Sequence, residues 1–372
     1  MTGLYVHIPF CKSKCAYCDF CSYSNMEEKM LNYSQALCKE IMNSCKGEKI
    51  DSIFVGGGTP TYLSLEGWKN LSEAFSTLDI AEGTEFTVEC NPGSVDEEKL
   101  KLFKKIGVNR ISIGLQAWQN KILKDIGRIH TIEEFIESYK LIRKCGFDNI
   151  NADIIFGLPN QTVKEFKETL NNLTELQPEH ISCYSLIVEE GTPFYRLNNE
   201  GKLKLPKEDK EREMYEAAIN ILKSKGYKQY EISNFSKEGY ECKHNIKYWK
   251  LQDYIGCGTA AHSYINKKRY RNEAHIERYI IGIKSKGSAT VETINNTNKD
   301  DMEEFMFMGL RMLEGISMKE FRGRFKKDFN EVYGDITNKF CDLNLMKVNG
   351  DKVFLTHDGI QVSNSIMCEY LL

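Results

Sequence analysis

The sequence predicts an α/β protein: a partial (β/α)6 barrel of the TIM type, followed by a winged-helix-like α+β domain at the carboxyl end. Three observations predict it. Short apolar strand patterns alternate with amphipathic helix patterns through roughly the first 225 residues, the rhythm of a parallel sheet with crossover helices. Glycines and polar residues collect where the strand patterns end, which favours a barrel mouth over a doubly wound sheet, although both place ligands at the carboxyl ends of strands. Residues 297–372 read instead as helices followed by a small hairpin. The expected units are a barrel over 1–226, a connector over 227–296 packed across the barrel mouth, and the terminal domain over 297–372.

The first strand pattern, through Tyr5-Val6-His7-Ile8, runs straight into Cys11, Cys15 and Cys18. Residues 27–45 then carry Met30, Leu31, Ala36, Leu37 and Ile41 on a helical stripe. A second strand over Ile50–Val55 stops at Gly56-Gly57-Gly58-Thr59-Pro60. The third, Phe86–Glu89, is broken by Asn91-Pro92-Gly93, after which Ser94 and Glu97 read as a capping box opening a helix through Leu100 and Phe103. The fourth, Arg110–Gln116, alternates, with Ile111, Ile113 and Leu115 on one face. Thr131 and Glu134 cap a helix carrying Phe135, Ile136, Tyr139 and Ile142, and the fifth strand, Ile150–Phe156, leads into Gly157-Leu158-Pro159. Thr162 and Glu165 cap the helix with Phe166, Leu170 and Leu173, and Ile181–Val188 is the sixth strand. Beyond Lys225 the periodicity fades, and helices resume at Asp300. Leu345–Val348 and Val353–Leu355 then flank an Asn349-Gly350 turn, and Thr356–Leu372 closes the chain as a helix.

Composition excludes several classes. A formal charge of -3 over 372 residues leaves no global footprint for nucleic acid or anionic membrane. No apolar run is long enough to span a bilayer, and the start at Met1 lacks the tripartite secretory pattern, so the expected location is cytoplasmic. Thirteen cysteines, an odd and scattered set, fit a reducing compartment rather than a disulfide scaffold. Cys38, Cys45, Cys90, Cys145, Cys183, Cys257 and Cys341 read as small buried hydrophobes. Lys319, Arg322, Arg324, Lys326 and Lys327 form a basic run that would suit DNA, but Glu320 and Asp328 interleave it as on a solvated face.

The C-x-x-x-C-x-x-C spacing of Cys11, Cys15 and Cys18 gathers three thiolates on one short loop, a set that suits soft iron and its sulfides. Three ligands leave one iron of a 4Fe-4S cluster open to an exchangeable ligand. A structural zinc site usually takes four ligands in paired spacings, and Cys21 lies too near to act as a second pair. Three inert buried thiols are the remaining alternative. Glu89 and Asp153 are acids inside otherwise apolar strands, where an unpaired carboxylate is costly, so both point to a site at the strand ends.

With Tyr17 before its last cysteine, and Gly57-Gly58-Thr59-Pro60 one helix later, the cysteine motif resembles that of the radical S-adenosylmethionine (SAM) superfamily. The resemblance implies a partial barrel of the radical SAM type. In it the amino and carboxylate groups of SAM chelate the open iron of a 4Fe-4S cluster on Cys11, Cys15 and Cys18, and reductive cleavage releases a 5'-deoxyadenosyl radical. Gly57 and Gly58 would let the backbone approach the methionine end of SAM, with carbonyls accepting from its ammonium. Tyr5–Cys11, Ser112–Gln116 and Asp153–Pro159 resemble the branch that contains oxygen-independent coproporphyrinogen III dehydrogenase and a heme chaperone. That likeness implies that Tyr5, Gly57 and Glu89 contact the cluster-bound SAM, with Glu89 accepting from ribose hydroxyls. It also implies that Tyr17, Gly58, Thr59, Gln116, Arg128 and Asp153 surround a second SAM or shape a one-SAM pocket.

Within that branch the dehydrogenases carry a segment before the motif and a fourth cysteine two residues after the third. Here the motif starts at once and Asp19-Phe20 follows Cys18, which favours the chaperone side. So does His244-Asn245-Ile246-Lys247-Tyr248-Trp249, similar to an H-N-x-x-Y-W signature of that side. The resemblance implies a protein that takes up heme and passes it to an acceptor hemoprotein or respiratory enzyme, with an electron donor for the cluster. Oxidative decarboxylation of a porphyrinogen is the alternative. His244 is the candidate heme ligand, because neutral imidazole is a good axial ligand and Tyr248 and Trp249 can pack on a porphyrin face. His262 is its rival.

Overall fold

The computed structural model describes all residues, Met1–Leu372. Six strands, β1 (Thr2–Ile8), β2 (Lys49–Gly57), β3 (Asp79–Cys90), β4 (Arg110–Gln116), β5 (Ile150–Phe156) and β6 (His180–Ser185), lie side by side in chain order. Every neighbouring pair among them is parallel. Helices Met30–Ser44, Leu65–Phe75, Glu97–Lys105, Ile132–Lys144 and Val163–Glu175 fill the five crossovers. This is the expected (β/α)6 partial barrel.

Local signals set most boundaries. Thr131 with Glu134 and Thr162 with Glu165 form reciprocal capping boxes. Ser94 does not cap: the helix begins at Glu97, and the Asp96 side chain accepts from Lys99 N at 2.8 Å. Aspartate caps as well as serine, and the Ser94 hydroxyl is occupied by Thr61 Oγ1 at 2.6 Å and the Asn91 carbonyl at 2.5 Å. The Ser64-capped helix Leu65–Phe75 has only a short amphipathic pattern interrupted by Gly67, and the sequence reading passes over it. The sixth strand stops at Ser185, three residues short of the expected end, and the apolar residues beyond it line a cavity instead.

The two faces of the sheet divide the chemistry. Leu4, Val6, Ile53, Val55, Phe86, Val88, Ile111, Ile113, Ile154 and Ile181 point to the helices and join one apolar core, each burial stabilising by roughly 1.5–3 kcal/mol. The alternate residues face the barrel interior, where Arg110, Ser112, Asn151, His180 and Ser182 are buried and polar. Asn151 links the set: its amide donates to Ser112 at 2.7 Å and Asp153 at 2.8 Å, and its carbonyl meets His180 Nδ1 and accepts from Ser182. All of β4 is therefore buried, not one face of it.

The segment expected as a cover over the mouth forms short strands on both edges of the sheet, with helices Lys243–Trp249 and Ile276–Lys286 between them. β7 (Lys228–Glu231) and β8 (Asn234–Ser236) extend the β6 edge. β9 (Tyr254–Cys257) pairs with β1, and β10 (His262–Ile265), β11 (Lys268–Asn272) and β12 (Thr290–Asn295) continue outward. Most of these strands are too short to show a period of two in the sequence.

The terminal domain packs helices Asn298–Gly309, Met318–Phe325 and Phe329–Asp342 with a sheet of β13 (Ile316–Ser317), β14 (Met346–Asn349) and β15 (Lys352–Leu355). The hairpin turns at Gly350-Asp351, one residue later than expected, because Asn349 pairs with Lys352. The final helix is split into His357–Gln361 and Ser363–Cys368 at non-helical Val362, which brings Ser363 and Asn364 to the cavity wall. Its core includes Leu251 and Tyr264 of the preceding segment. In the basic run, Arg324 pairs with Glu320 and donates to the Leu251 carbonyl, and Arg322 faces Asp328. No helix is long and apolar enough to cross a membrane.

Candidate functional site

A cavity of about 550 Å³ opens at the carboxyl ends of the parallel strands. The cysteine loop forms one wall. Its base is closed by Cys11 N donating to Tyr23 O at 2.9 Å and Tyr23 N donating to Pro9 O at 2.7 Å. Its middle is fixed to the next unit by Ala16 N donating to Ile126 O at 3.1 Å. Cys11, Cys15 and Cys18 are free thiols and all three line the cavity. Burial pushes Cys11 up and Cys18 up to about 11, so a bound cation is what would hold them as thiolates. Three free thiols on one short loop, all at the cavity wall, are the donor set that a 4Fe-4S cluster with one open iron would take.

The glycine loop abuts this wall. Gly57 has φ +114°, and a side chain there would place Cβ 2.5 Å from the His7 ring. At Gly58 a Cβ would stand 2.9 Å from the Phe10 carbonyl and 3.0 Å from Cys11 Sγ. Only glycine permits that approach. Thr59 then donates to Cys11 Sγ at 3.5 Å and accepts from Asn91 at 2.8 Å.

Two carboxylates, Glu89 and Asp153, line the same cavity. Glu89 accepts from Gly57 N at 3.1 Å. Burial, then the nearby Asp153 charge, raises it to about 8. Asp153 accepts from Ser112 at 3.1 Å and Asn151 at 2.8 Å, and burial raises it as well. Arg128 spends its donors on Asn91 at 3.0 Å, the Gly114 carbonyl at 2.8 Å, His130 and Cys15 Sγ at 3.7 Å. Gln116 sits at φ +68°, at a register shift between β4 and β5. Strained backbone of this kind costs about 1–3 kcal/mol and concentrates at functional sites.

The cavity wall thus gathers Cys11, Cys15, Cys18, Tyr17, Gly57, Gly58, Thr59, Glu89, Gln116, Arg128 and Asp153. Tyr5 lies beneath it, its hydroxyl 2.9 Å from His7 Nδ1, while His7 Nε2 meets the Cys21 carbonyl at 2.7 Å. Burial lowers His7 to about 4, leaving it neutral. Cys21 Sγ turns to Tyr23 and the Ala274 carbonyl. His244 is not in the cavity. It is fully buried, with Nδ1 2.9 Å from Ser52 Oγ and Nε2 2.8 Å from the Tyr248 hydroxyl. Its neighbours Ser52 and Gly3 belong to the amino-terminal halves of β2 and β1, so it plugs the barrel floor. His262 is exposed on β10. In the sequence Asn91 reads only as a strand breaker. Its position two residues after Glu89, at the end of β3, is the signal that marks it as part of the site.

A parallel partial barrel with a three-cysteine loop after its first strand defines the class, a radical SAM protein. The family model for the radical SAM superfamily matches residues 5–173, and that for the HemN C-terminal domain matches 296–362. Heme chaperone HemW of Bacillus subtilis (strain 168) is 38% identical, covering 100% of this chain and 99% of that protein. HemW of Escherichia coli (strain K12) is 35% identical over 86% of this chain and 85% of its own. The solved coproporphyrinogen III oxidase (HemN) from Escherichia coli superposes with a TM-score of 0.87 at 22% identity, covering 100% of this chain and 90% of that one. The chain belongs to the HemW family of the radical SAM superfamily.

Proposed function

We propose that the protein is a heme chaperone that binds heme and transfers it to an acceptor hemoprotein or respiratory enzyme. The observation that carries this reading is likeness along the whole chain to proteins named heme chaperone, 38% and 37% identical over 100% and 99% of this chain. The likeness to the oxidase, at 22% identity, speaks for the fold alone.

In this reading Cys11, Cys15 and Cys18 hold a 4Fe-4S cluster, and exchangeable SAM fills its open iron. Such a cluster supplies an electron for reductive cleavage of SAM, which calls for an electron donor as a partner. The chain's own groups suit the ligand. The Gly57–Gly58 backbone offers acceptors for an ammonium, and Glu89 offers an acceptor for ribose hydroxyls, with Tyr5 supporting the floor through His7. Tyr17, Thr59, Gln116, Arg128 and Asp153 wall the remaining space, for a second SAM or for the rest of one. A role for His244 as heme ligand requires one ring nitrogen to leave its partner, Ser52 at Nδ1 or Tyr248 at Nε2, while the other keeps its hydrogen bond. Equal heme titrations for His244→Ala and wild type would remove it from the site.

Anaerobically reconstituted protein with SAM and reductant, offered heme or coproporphyrinogen III, separates the two activities. Stable heme binding without turnover of the porphyrinogen is the expected result. Formation of protoporphyrinogen would replace the chaperone reading with a dehydrogenase.

A further inference from the structure

The terminal domain contributes one cation to the cavity wall, Arg311, just beyond the helix Asn298–Gly309. Its backbone is fixed by Ile232 N donating to the Arg311 carbonyl at 3.1 Å, beside a bridge between Glu231 and Met312. Its guanidinium lies over the Trp249 ring, 4.5 Å from the centroid. Glu231, fully buried, forms an ion pair with it, Oε2 lying 3.6 Å from Arg311 Nη2, and the buried Arg311 Nε has no hydrogen-bond partner. The other Glu231 oxygen is occupied by Ser233 N and the Asn234 amide.

The remaining cations of the wall differ. Arg128 has spent its donors on the barrel, and Lys14 sits on the exposed loop with its ammonium on the Phe20 carbonyl. Arg311 is a planar fork that lines the cavity with its side chain 26% exposed and is held by a single ion pair at 3.6 Å. Such a group matches a carboxylate, and its flat face suits an aromatic support. The same wall carries Ile232 and the 65% exposed Ile187, apolar surface of the kind a flat macrocycle covers.

Heme is a flat apolar ring with two carboxylates on one edge. We propose that Arg311 anchors a heme carboxylate in this cavity and that Trp249 is a positioning residue holding the guanidinium against the wall; this rests on the chaperone reading above. It gives the last residue of the H-N-x-x-Y-W stretch a task distinct from that of His244 and Tyr248, which plug the barrel floor.

The test titrates the full, reconstituted chain with iron protoporphyrin IX and with its dimethyl ester, in one detergent buffer, by absorbance. Wild type is expected to prefer the free acid by roughly tenfold. Arg311→Met removes that preference and leaves diester affinity unchanged; Trp249→Leu reduces it, and Trp249→Phe restores most of it. Equal wild-type affinities for acid and diester overturn the proposal, as does an Arg311→Met variant that weakens both alike. Should Arg311→Met fail to fold, Arg311→Lys, which keeps the charge and loses the fork, is titrated in its place and is expected to retain only part of the preference; an undiminished preference overturns the proposal. Wild type that binds neither ligand sinks the chaperone reading, and the anchor with it.

Discussion

Gly57 shows how tightly single residues are constrained at the strand ends. A methyl group there would meet the His7 ring at 2.5 Å on a backbone with φ +114°. Gly57→Ala is therefore expected to lower unfolding stability by about 1–3 kcal/mol and to weaken SAM binding. An unchanged urea midpoint would refute this. The cysteines separate by role: Cys15→Ala should abolish the visible absorbance of the reconstituted cluster and most of its roughly four irons per chain, with far-UV circular dichroism intact. Cys21→Ala should keep both, because its sulfur turns to Tyr23 and Ala274; equal loss from the two variants would show that Cys21 belongs to the ligand set. The three-cysteine spacing and the glycine run are legible in sequence because each acts through a few neighbouring residues. His7 and Asn91 are not, since their partners come from other loops: Cys21 for His7, Thr59 and Arg128 for Asn91.

Among the elements, the helix Met30–Ser44 is tied to the outer sheet by a buried carboxylate. Glu40 accepts from Gly258 N at 2.7 Å, Asn272 at 2.7 Å and the Tyr279 hydroxyl at 2.6 Å, and burial still raises it to about 7 from an ordinary 4.5. Between those values the folded chain keeps a proton that the unfolded chain releases, so stability falls as pH rises through the window and levels off above it. Wild type is expected to lose about 3 kcal/mol across that range relative to Glu40→Gln, whose side chain does not titrate. Parallel pH profiles for the two proteins in denaturant titrations would count against this account. The barrel elements are legible because their apolar periods and capping boxes are local. Strands β7 to β12 are not, because most hold only a few residues and take their positions from the edges of the finished sheet.

At the scale of the whole molecule, the terminal domain is not an independent appendage. Its core includes Leu251 and Tyr264; the Tyr264 hydroxyl donates to buried Asp301 at 2.8 Å, and Arg269 pairs with Glu304 through two nitrogens. Deleting residues 297–372 would expose that surface. The truncated chain is expected to unfold at a lower temperature and to bind a hydrophobic dye before unfolding. A truncated protein with the full-length midpoint and no dye binding would show two autonomous units.

Sequence alone carries the partial barrel, the three-thiol loop, the glycine run and the family, because these rest on short-range spacing and motifs and on alternation along single strands. Only the tertiary structure decided that the interior face is a polar network, that His244 plugs the floor with both ring nitrogens engaged, and that Arg311 from the last domain reaches the cavity beside Trp249. Each of these depends on contacts between residues far apart in the chain, where direction and burial, not residue type, settle whether a side chain is structural or free to bind.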